Sequence, residues 1–132
     1  MNVTVFKSKG HKKITVPGSK SYGHRILLAA FMCSDKVKIK NIYLNDDIKA
    51  TLNCLKALGT DININNGDVS VSSDIKNLKD GALLDCFESG STLRFLIPIA
   101  FLSGKKLIFT GTQRLFERPL SIYESICKKD NI

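Results

Sequence analysis

The pattern of hydrophobic and polar positions changes period several times along the chain, and each change predicts a boundary between elements. Period-two alternation, typical of half-buried strands, begins at Val37 and recurs in residues 61–65 and 68–72. The last two runs flank Asn66-Gly67, the strongest short-range signal for a β-hairpin. Further short strands are predicted at residues 2–7, 12–16, 83–85 and 106–110.

Apolar residues at helical spacing predict four helices, at about residues 21–32, 48–58, 92–102 and 120–128. Asn45 is a favourable residue just before the second helix, and Gly59 is a favourable residue just after it. Pro98 should kink the third helix because proline removes one backbone hydrogen bond and crowds the preceding turn. Pro119 is predicted at the first position of the fourth helix, where proline is well tolerated.

The predicted order of elements occurs twice, which indicates an internal repeat. Arg25 and Arg94 each follow a turn of small residues and lie 69 positions apart. The same separation joins Asn41 and Thr110, at the ends of the strands that follow. We therefore expect an α/β (α+β) chain of βαβαββ units, complete over about residues 12–72 and incomplete over about 83–132.

Composition is consistent with one soluble domain that has an anionic partner. The chain has 132 residues, 43% of them hydrophobic, and a formal net charge of +8. Such an excess favours nucleic acid, a membrane surface or a phosphorylated metabolite. A basic nucleic-acid-binding module remains an alternative, although only 8% of the residues are aromatic. Most phenylalanines also lie in apolar runs, where core packing is more usual than base stacking.

The cysteines and the apolar runs indicate a cytoplasmic protein without a metal. The cysteines, at positions 33, 54, 86 and 127, are widely spaced and the chain has only two histidines. We read the cysteines as reduced thiols, mostly in the core. No apolar run approaches the roughly 20 residues that a membrane-spanning helix needs, and the chain starts without a signal-peptide pattern.

Basic residues stand at helix starts, where the helix dipole favours acidic residues instead. Lys20 and Arg25 lie at the start of the first predicted helix, and Arg94 lies at the start of the third. Arg114 and Arg118 lie just before the fourth. No acidic cap is visible beside them, so we expect a polyanionic small molecule to be the missing partner. Arginine suits this role because its planar guanidinium pairs bidentately with phosphate or carboxylate.

Three segments, in order, resemble the signature segments of 5-enolpyruvylshikimate-3-phosphate synthases: PGSKSYGHR (17–25), ESGSTLRFL (88–96) and GTQRLFERP (111–119). The resemblance implies a two-domain transferase of the shikimate pathway (chorismate and aromatic amino acid biosynthesis), built from repeated βαβαββ units. Such enzymes transfer the enolpyruvyl group of phosphoenolpyruvate to the 5-hydroxyl of shikimate 3-phosphate and release phosphate. The resemblance implies no cofactor or metal, no nucleic-acid or membrane partner, and a monomer at full length.

The resemblance also implies roles for individual residues. Lys20, Ser21 and Arg25 would bind shikimate 3-phosphate. Lys20 would also reach phosphoenolpyruvate, together with Gly90 and Arg118. Supporting roles fall to Ser91, Arg94 and Arg114. No residue of this chain is expected to be catalytic, because the family's acid and base groups lie in a segment that this sequence does not contain.

The chain departs from the family pattern in length and at two site positions. Glu88 stands where the family usually has asparagine, and Ser91 where it usually has threonine. Family enzymes are much longer, so we expect an N-terminal fragment that is inactive alone, whose residues 1–7 belong with the missing second domain. The related UDP-N-acetylglucosamine enolpyruvyl transferases are a weaker alternative: they have Lys-Asn at Lys20-Ser21 and usually a reactive cysteine where this chain has Gln113.

Overall fold

A computed structural model describes Thr4, Lys13 and residues 16–33 and 35–130. The helices are α1 (Lys20–Met32), α2 (Asp46–Ala57), α3 (Gly90–Ser103), α4 (Gln113–Phe116) and α5 (Ser121–Asp130). The strands are β1 (Val37–Ile39), β2 (Asp61–Asn65), β3 (Asp68–Ser72), β4 (Leu83–Asp85) and β5 (Ile108–Thr110), with one 3-10 turn at Ile75–Asn77. This mixture of helices and strands confirms the α/β (α+β) class.

The first unit contains an antiparallel sheet in the order β1-β3-β2. Its central strand β3 buries Val69 and Val71, and Val71 lies opposite both Val37 and Ile62 in the register. The hairpin turns at Asn66 and Gly67, which both have positive φ, as a tight turn of this kind requires. The predicted hairpin strands match the observed bounds of β2 and β3.

The second unit pairs β4 with β5 in parallel, and α3 makes the connection between them. β5 begins at Ile108, two residues later than predicted. The prediction for Pro119 is wrong, because α5 begins at Ser121 and the proline lies before the helix. The pattern also missed α4, whose four residues are too few to show a helical period.

α3 runs without interruption from Gly90 through Pro98 to Ser103. It starts two residues earlier than the apolar pattern predicts, because Ser89 acts as the N-cap and accepts a hydrogen bond from the amide of Thr92. Gly104 ends the helix in the left-handed conformation, where glycine carries no steric penalty.

One hydrophobic core joins the two units. α1 contributes Leu27 and Phe31, α2 contributes Ile48 and Leu55, and α3 contributes Leu96, all of them fully buried. Because the helices of both units share this core, their N-terminal ends are held in a fixed relation to one another.

The predicted strand at residues 2–7 and the predicted opening strand at 12–16 lie outside the described residues, apart from Thr4, Lys13 and Val16. Within residues 16–33 and 35–130, no helix has the length and apolar character needed to cross a membrane.

Candidate functional site

The start of α1 presents the first group of predicted site residues. Ser19 caps the helix, and its hydroxyl accepts a hydrogen bond from the amide of Tyr22 at 3.3 Å. Lys20, Ser21 and Arg25 are all exposed. Ser21 and Arg25 are four positions apart, so they share one face of the helix, and α1 has no acidic residue in its first turn.

Lys20 nevertheless has an acidic partner, which corrects the prediction that it lacks one. Its Nζ lies 2.6 Å from Oδ2 of Asp47, in the first turn of α2. Asn45 caps α2 by accepting a hydrogen bond from the amide of Ile48 at 2.9 Å, which places Asp47 at the helix start. This pair was not predicted because Lys20 and Asp47 lie 27 positions apart in the sequence.

The arginines differ from Lys20 in their surroundings. In the part of the chain that the structure describes, the three ion pairs involve lysines only, namely Lys20, Lys38 and Lys49. Arg25 and Arg118 are exposed there without a carboxylate partner. They therefore keep their guanidinium groups available for an external anion.

Gly90 and Arg118, predicted from separate segments to share one ligand, are in direct contact. A Cβ atom added to Gly90 would lie 3.3 Å from Cζ of Arg118 and would collide with one of its guanidinium nitrogens. An added Cβ would therefore force the Arg118 side chain to move from its observed position. Arg118 is therefore next to the N-terminus of α3, where the helix dipole adds to its positive charge.

The start of the last helix, α5, is not the purely basic helix start that the sequence predicted. α5 has an acidic residue, Glu124, in its first turn, so the expectation that every start lacks one is wrong. Arg118 precedes this helix but packs on the start of α3 instead. The exposed Arg114 lies on α4, and the backbone carbonyl of Arg94 accepts a hydrogen bond from the hydroxyl of Tyr123 at 3.0 Å.

A buried chain of hydrogen bonds connects the starts of α1, α2 and α3. Nδ1 of His24 lies 2.8 Å from Oγ1 of Thr51, which lies 2.7 Å from Oγ1 of Thr92. The Thr92 hydroxyl in turn lies 2.7 Å from the hydroxyl of Ser89, the N-cap of α3. Both threonine hydroxyls also approach the backbone carbonyl of Asp47, at 3.2 and 3.4 Å. The helix starts that carry Lys20 and Gly90 therefore converge.

His24, for which the sequence pattern predicts no role, is the fully buried end of these hydrogen bonds. Its Nε2 has no hydrogen-bond partner among the described residues. Burial lowers the pKa of the imidazole, the nearby Asp47 carboxylate raises it, and the Lys20 ammonium lowers it further, with burial the largest effect. A histidine directly before Arg25 in an apolar helix was the available signal.

The turn before Gly90 has an unusual backbone. Phe87 has φ +51°, a left-handed conformation that is costly for a bulky residue. Its amide donates to Oδ1 of Asp85 at 2.9 Å, and its carbonyl accepts from the amide of Thr112 at 3.0 Å. These two hydrogen bonds hold the turn that leads into Ser89 and Gly90.

The cysteines are free thiols, as the sequence predicted. Cys54 and Cys86 are buried beside each other, and Cys54 donates from Sγ to the carbonyl of Asp85 at 3.2 Å. The hydrogen bond with Cys86, together with burial, raises the pKa of the Cys54 thiol. Cys33 is exposed and Cys127 half-buried, so the prediction that the cysteines lie mostly in the core is correct for only two of the four. Within the described ranges, no three histidine, cysteine or acidic side chains form a group that could hold a metal ion.

Comparison with known proteins gives a consistent result. Residues 7–125 match a protein family described as EPSP synthase (3-phosphoshikimate 1-carboxyvinyltransferase). The 3-phosphoshikimate 1-carboxyvinyltransferase of Clostridium kluyveri is 38% identical over 130 residues, which are 98% of this chain and 30% of the relative. The protein of the same name from Clostridium novyi is 36% identical over 140 residues, 99% of this chain and 32% of the relative.

A solved structure agrees with these sequence comparisons. An EPSP synthase from Acinetobacter baumannii superimposes with a TM-score of 0.72 at 26% identity, over 89% of this chain and 27% of that one. The chain thus spans about 30% of the length of the curated relatives that it matches. With the family match extending over most of its residues, the chain belongs to the EPSP synthase family.

Proposed function

We propose that this chain supplies part of the active site of a 3-phosphoshikimate 1-carboxyvinyltransferase. The reaction transfers the enolpyruvyl group of phosphoenolpyruvate to the 5-hydroxyl of shikimate 3-phosphate and releases phosphate. One observation carries the proposal: the starts of α1 and α3 converge, and each has an exposed arginine beside it, Arg25 or Arg118, without a carboxylate partner. Two such starts fit two anionic substrates.

In this proposal the start of α1 binds shikimate 3-phosphate. Lys20 and Arg25 neutralise the phosphate, and the hydroxyl of Ser21 donates a hydrogen bond to one of its oxygens. The helix dipole favours a dianion at this end. Asp47 holds Lys20 at the helix start through their 2.6 Å ion pair, so the ammonium is positioned before the substrate arrives.

The start of α3 binds phosphoenolpyruvate in the same proposal. Gly90 lets the ligand approach the backbone amides, and Arg118, packed over Gly90, offers two parallel N–H donors to a phosphate or carboxylate. Lys20 reaches the same ligand from α1. Ser91, Arg94 and Arg114 support the site without contacting the reacting atoms.

In this proposal the chain by itself does not carry out the proton transfers of the reaction. The methylene carbon of phosphoenolpyruvate must gain a proton and the attacking hydroxyl must lose one. Asp47, the carboxylate beside the proposed site, is already paired with Lys20. We propose that further chain supplies the acid and base, and that the protein acts in the cytoplasm, where an exposed thiol such as Cys33 stays reduced.

The assignment of the two arginines is tested in a chimera that joins residues 1–130 to the remainder of the Clostridium kluyveri relative, with which this chain aligns over 130 residues. Arg25→Ala should raise the KM for shikimate 3-phosphate roughly 10- to 100-fold, the cost of a lost charged hydrogen bond. Arg118→Ala should do the same for phosphoenolpyruvate. Lys56→Ala, on the exposed far end of α2, is the control and should change neither value.

Equal effects of the two arginine variants on both substrates would overturn the assignment. If the chimera does not turn over, the same split is measured by titrating the chain itself with each substrate and following backbone amide signals.

A further inference from the structure

The function proposed above assigns no ligand to the hydrogen-bonded side chains His24, Thr51, Thr92 and Ser89, called the His24 chain, which connect the two helix starts. We propose that His24 is a positioning residue: through this chain it fixes the Ser89 cap, and with it Gly90, relative to Lys20 and Arg25. This inference rests on the proposed function, because it concerns the distance between the two proposed substrate sites.

The geometry of the His24 chain is that of a direct link between two helix starts. Its three successive contacts measure 2.8, 2.7 and 2.7 Å, which are ordinary hydrogen-bond distances. The side chains of His24, Thr51, Thr92 and Ser89 are all buried, so water does not compete for these bonds. His24 directly precedes Arg25, and Ser89 directly precedes Gly90. A displacement at one end of the His24 chain therefore moves a residue next to a proposed substrate ligand at its other end.

The absence of an Nε2 partner among the described residues indicates which imidazole nitrogen carries the proton. A proton on Nε2 would leave a buried N–H without an acceptor from this part of the chain, which costs about 1–3 kcal/mol. With the proton on Nδ1, His24 donates to the hydroxyl of Thr51. Thr51 can still donate its own proton to the carbonyl of Asp47 or to Thr92, so every other member of the chain remains satisfied.

The surroundings of His24 favour this neutral form. The charged groups facing it are Lys20 on α1 and Asp47 on α2. α3 contributes Phe95, with ring centroids 6.5 Å apart, and Thr92 through Thr51, neither of which titrates. Burial lowers the pKa of the imidazole, and an unfolded histidine takes up its proton near pH 6.5. The free energy of unfolding should therefore decrease as the pH falls below about 6.5.

Two substitutions separate positioning from simple packing. In His24→Asn the amide nitrogen occupies the place of Nδ1 and can donate to Thr51, but it does not titrate. In His24→Leu the apolar volume remains and the donor is lost. Thr51→Val keeps the imidazole and removes the hydroxyl that Nδ1 contacts. This variant replaces His24→Leu in the test if His24→Leu does not fold.

The first readout needs no ligand. The chain has only two histidines, so long-range proton–nitrogen NMR spectra of the imidazoles are easily assigned with His11→Gln as the reference variant. We expect His24 to carry its proton on Nδ1 and to stay neutral below about pH 6.5, where an unfolded histidine becomes protonated. We also expect the Ser89 and Gly90 amide signals to shift in His24→Leu and in Thr51→Val, but to stay near their original positions in His24→Asn.

The second readout is phosphoenolpyruvate binding between about pH 5.5 and 7.5, on either side of the ordinary histidine pKa. His24→Leu should weaken binding about tenfold, as expected for a lost positioning hydrogen bond, and His24→Asn should restore it. Relative to His24→Asn, the unmodified chain should lose affinity as the pH falls.

Unchanged Ser89 and Gly90 signals in His24→Leu, or in Thr51→Val if the leucine variant does not fold, would overturn the inference. So would a proton on Nε2, or phosphoenolpyruvate binding that His24→Leu leaves intact. If no protein responds to phosphoenolpyruvate, the proposed function fails, and the imidazole and amide signals still decide the role of His24.

Discussion

Gly90 shows how much a single residue can determine at this site. The guanidinium of Arg118 occupies the space where a side chain at this position would lie. The sequence showed only a glycine in a small-residue turn and an arginine before a proline, 28 positions later. Their contact supports one shared ligand, because a helix N-terminus and a guanidinium then face the same anion.

Gly90→Ala should therefore displace Arg118 and weaken phosphoenolpyruvate binding without affecting shikimate 3-phosphate. In the chimera we expect the KM for phosphoenolpyruvate to rise roughly tenfold or more, the loss of a charged hydrogen bond. Gly18→Ala is the matched control, since its Cβ would meet Tyr43 at an ordinary 3.4 Å.

A double mutant tests the mechanism of that effect. If the alanine acts by moving the guanidinium, Gly90→Ala should have little further effect once Arg118 is already alanine, because the two changes remove one interaction. Fully additive effects would contradict this explanation.

The residues that could be predicted from sequence are those whose signal is local. Lys20, Arg25 and Gly90 stand at helix starts and were found there. Asp47 and His24 were missed because their partners lie 27 positions away in sequence. A carboxylate in the first turn of a helix has an ordinary local explanation, so nothing in the sequence marked Asp47 as the partner of Lys20.

Among the described elements, the turn between β4 and α3 has a bulky residue in the left-handed backbone conformation. Phe87 occupies it with φ +51° and an exposed ring, although glycine is the usual residue in that conformation. The hydrogen bonds to Asp85 and Thr112 compensate part of the cost. Hydrogen bonds to Asp85 and Thr112 therefore stabilise a backbone conformation that phenylalanine by itself disfavours.

Phe87→Gly should raise the free energy of unfolding by about 0.5–1 kcal/mol. The left-handed conformation costs a non-glycine residue about 1–2 kcal/mol, which the glycine variant no longer pays. The greater freedom of glycine in the unfolded chain offsets about 0.5–1 kcal/mol of this stabilisation. Urea denaturation measures the difference. Phe87→Ala is the control, because it removes the ring but keeps the Cβ; a glycine variant no more stable than the alanine variant would refute the strain.

Element prediction succeeded where period and turn chemistry agreed. The hairpin strands match because Asn66-Gly67 specifies both the turn and its register. α3 was placed two residues late because its first turn is made of small residues that carry no hydrophobic period. α4 was missed because its position depends on long-range contacts, including the burial of Leu115.

At the scale of the whole molecule, we propose that the repeat predicted from the sequence is the reason why the two proposed sites are neighbours. The turns before α1 and α3 are related by the same 69-position spacing that separates Arg25 from Arg94, and the two helices share one core. In this proposal the two helix starts are equivalent and lie side by side. The two units differ in their sheets, since the first has three strands and the second, in the described residues, has two.

The chain alone should release no phosphate from phosphoenolpyruvate and shikimate 3-phosphate together. It offers anion ligands, but the Asp47 carboxylate beside them is paired with Lys20, and a partial site cannot exclude water from the reactants. A phosphate-release assay on the purified chain, with the Clostridium kluyveri enzyme as the positive control, measures this. Turnover near the rate of that enzyme would show that the acid and base groups are already present here.

The most direct test of the account is a titration of the isotope-labelled chain with shikimate 3-phosphate and, separately, with shikimate. We predict weak, saturable shifts of the amide signals of residues 20–25 with the phosphate ester only, and their loss in Arg25→Ala. No localised shift with the ester, or the same shifts with unphosphorylated shikimate, would contradict the claim that the start of α1 is a phosphate-binding site.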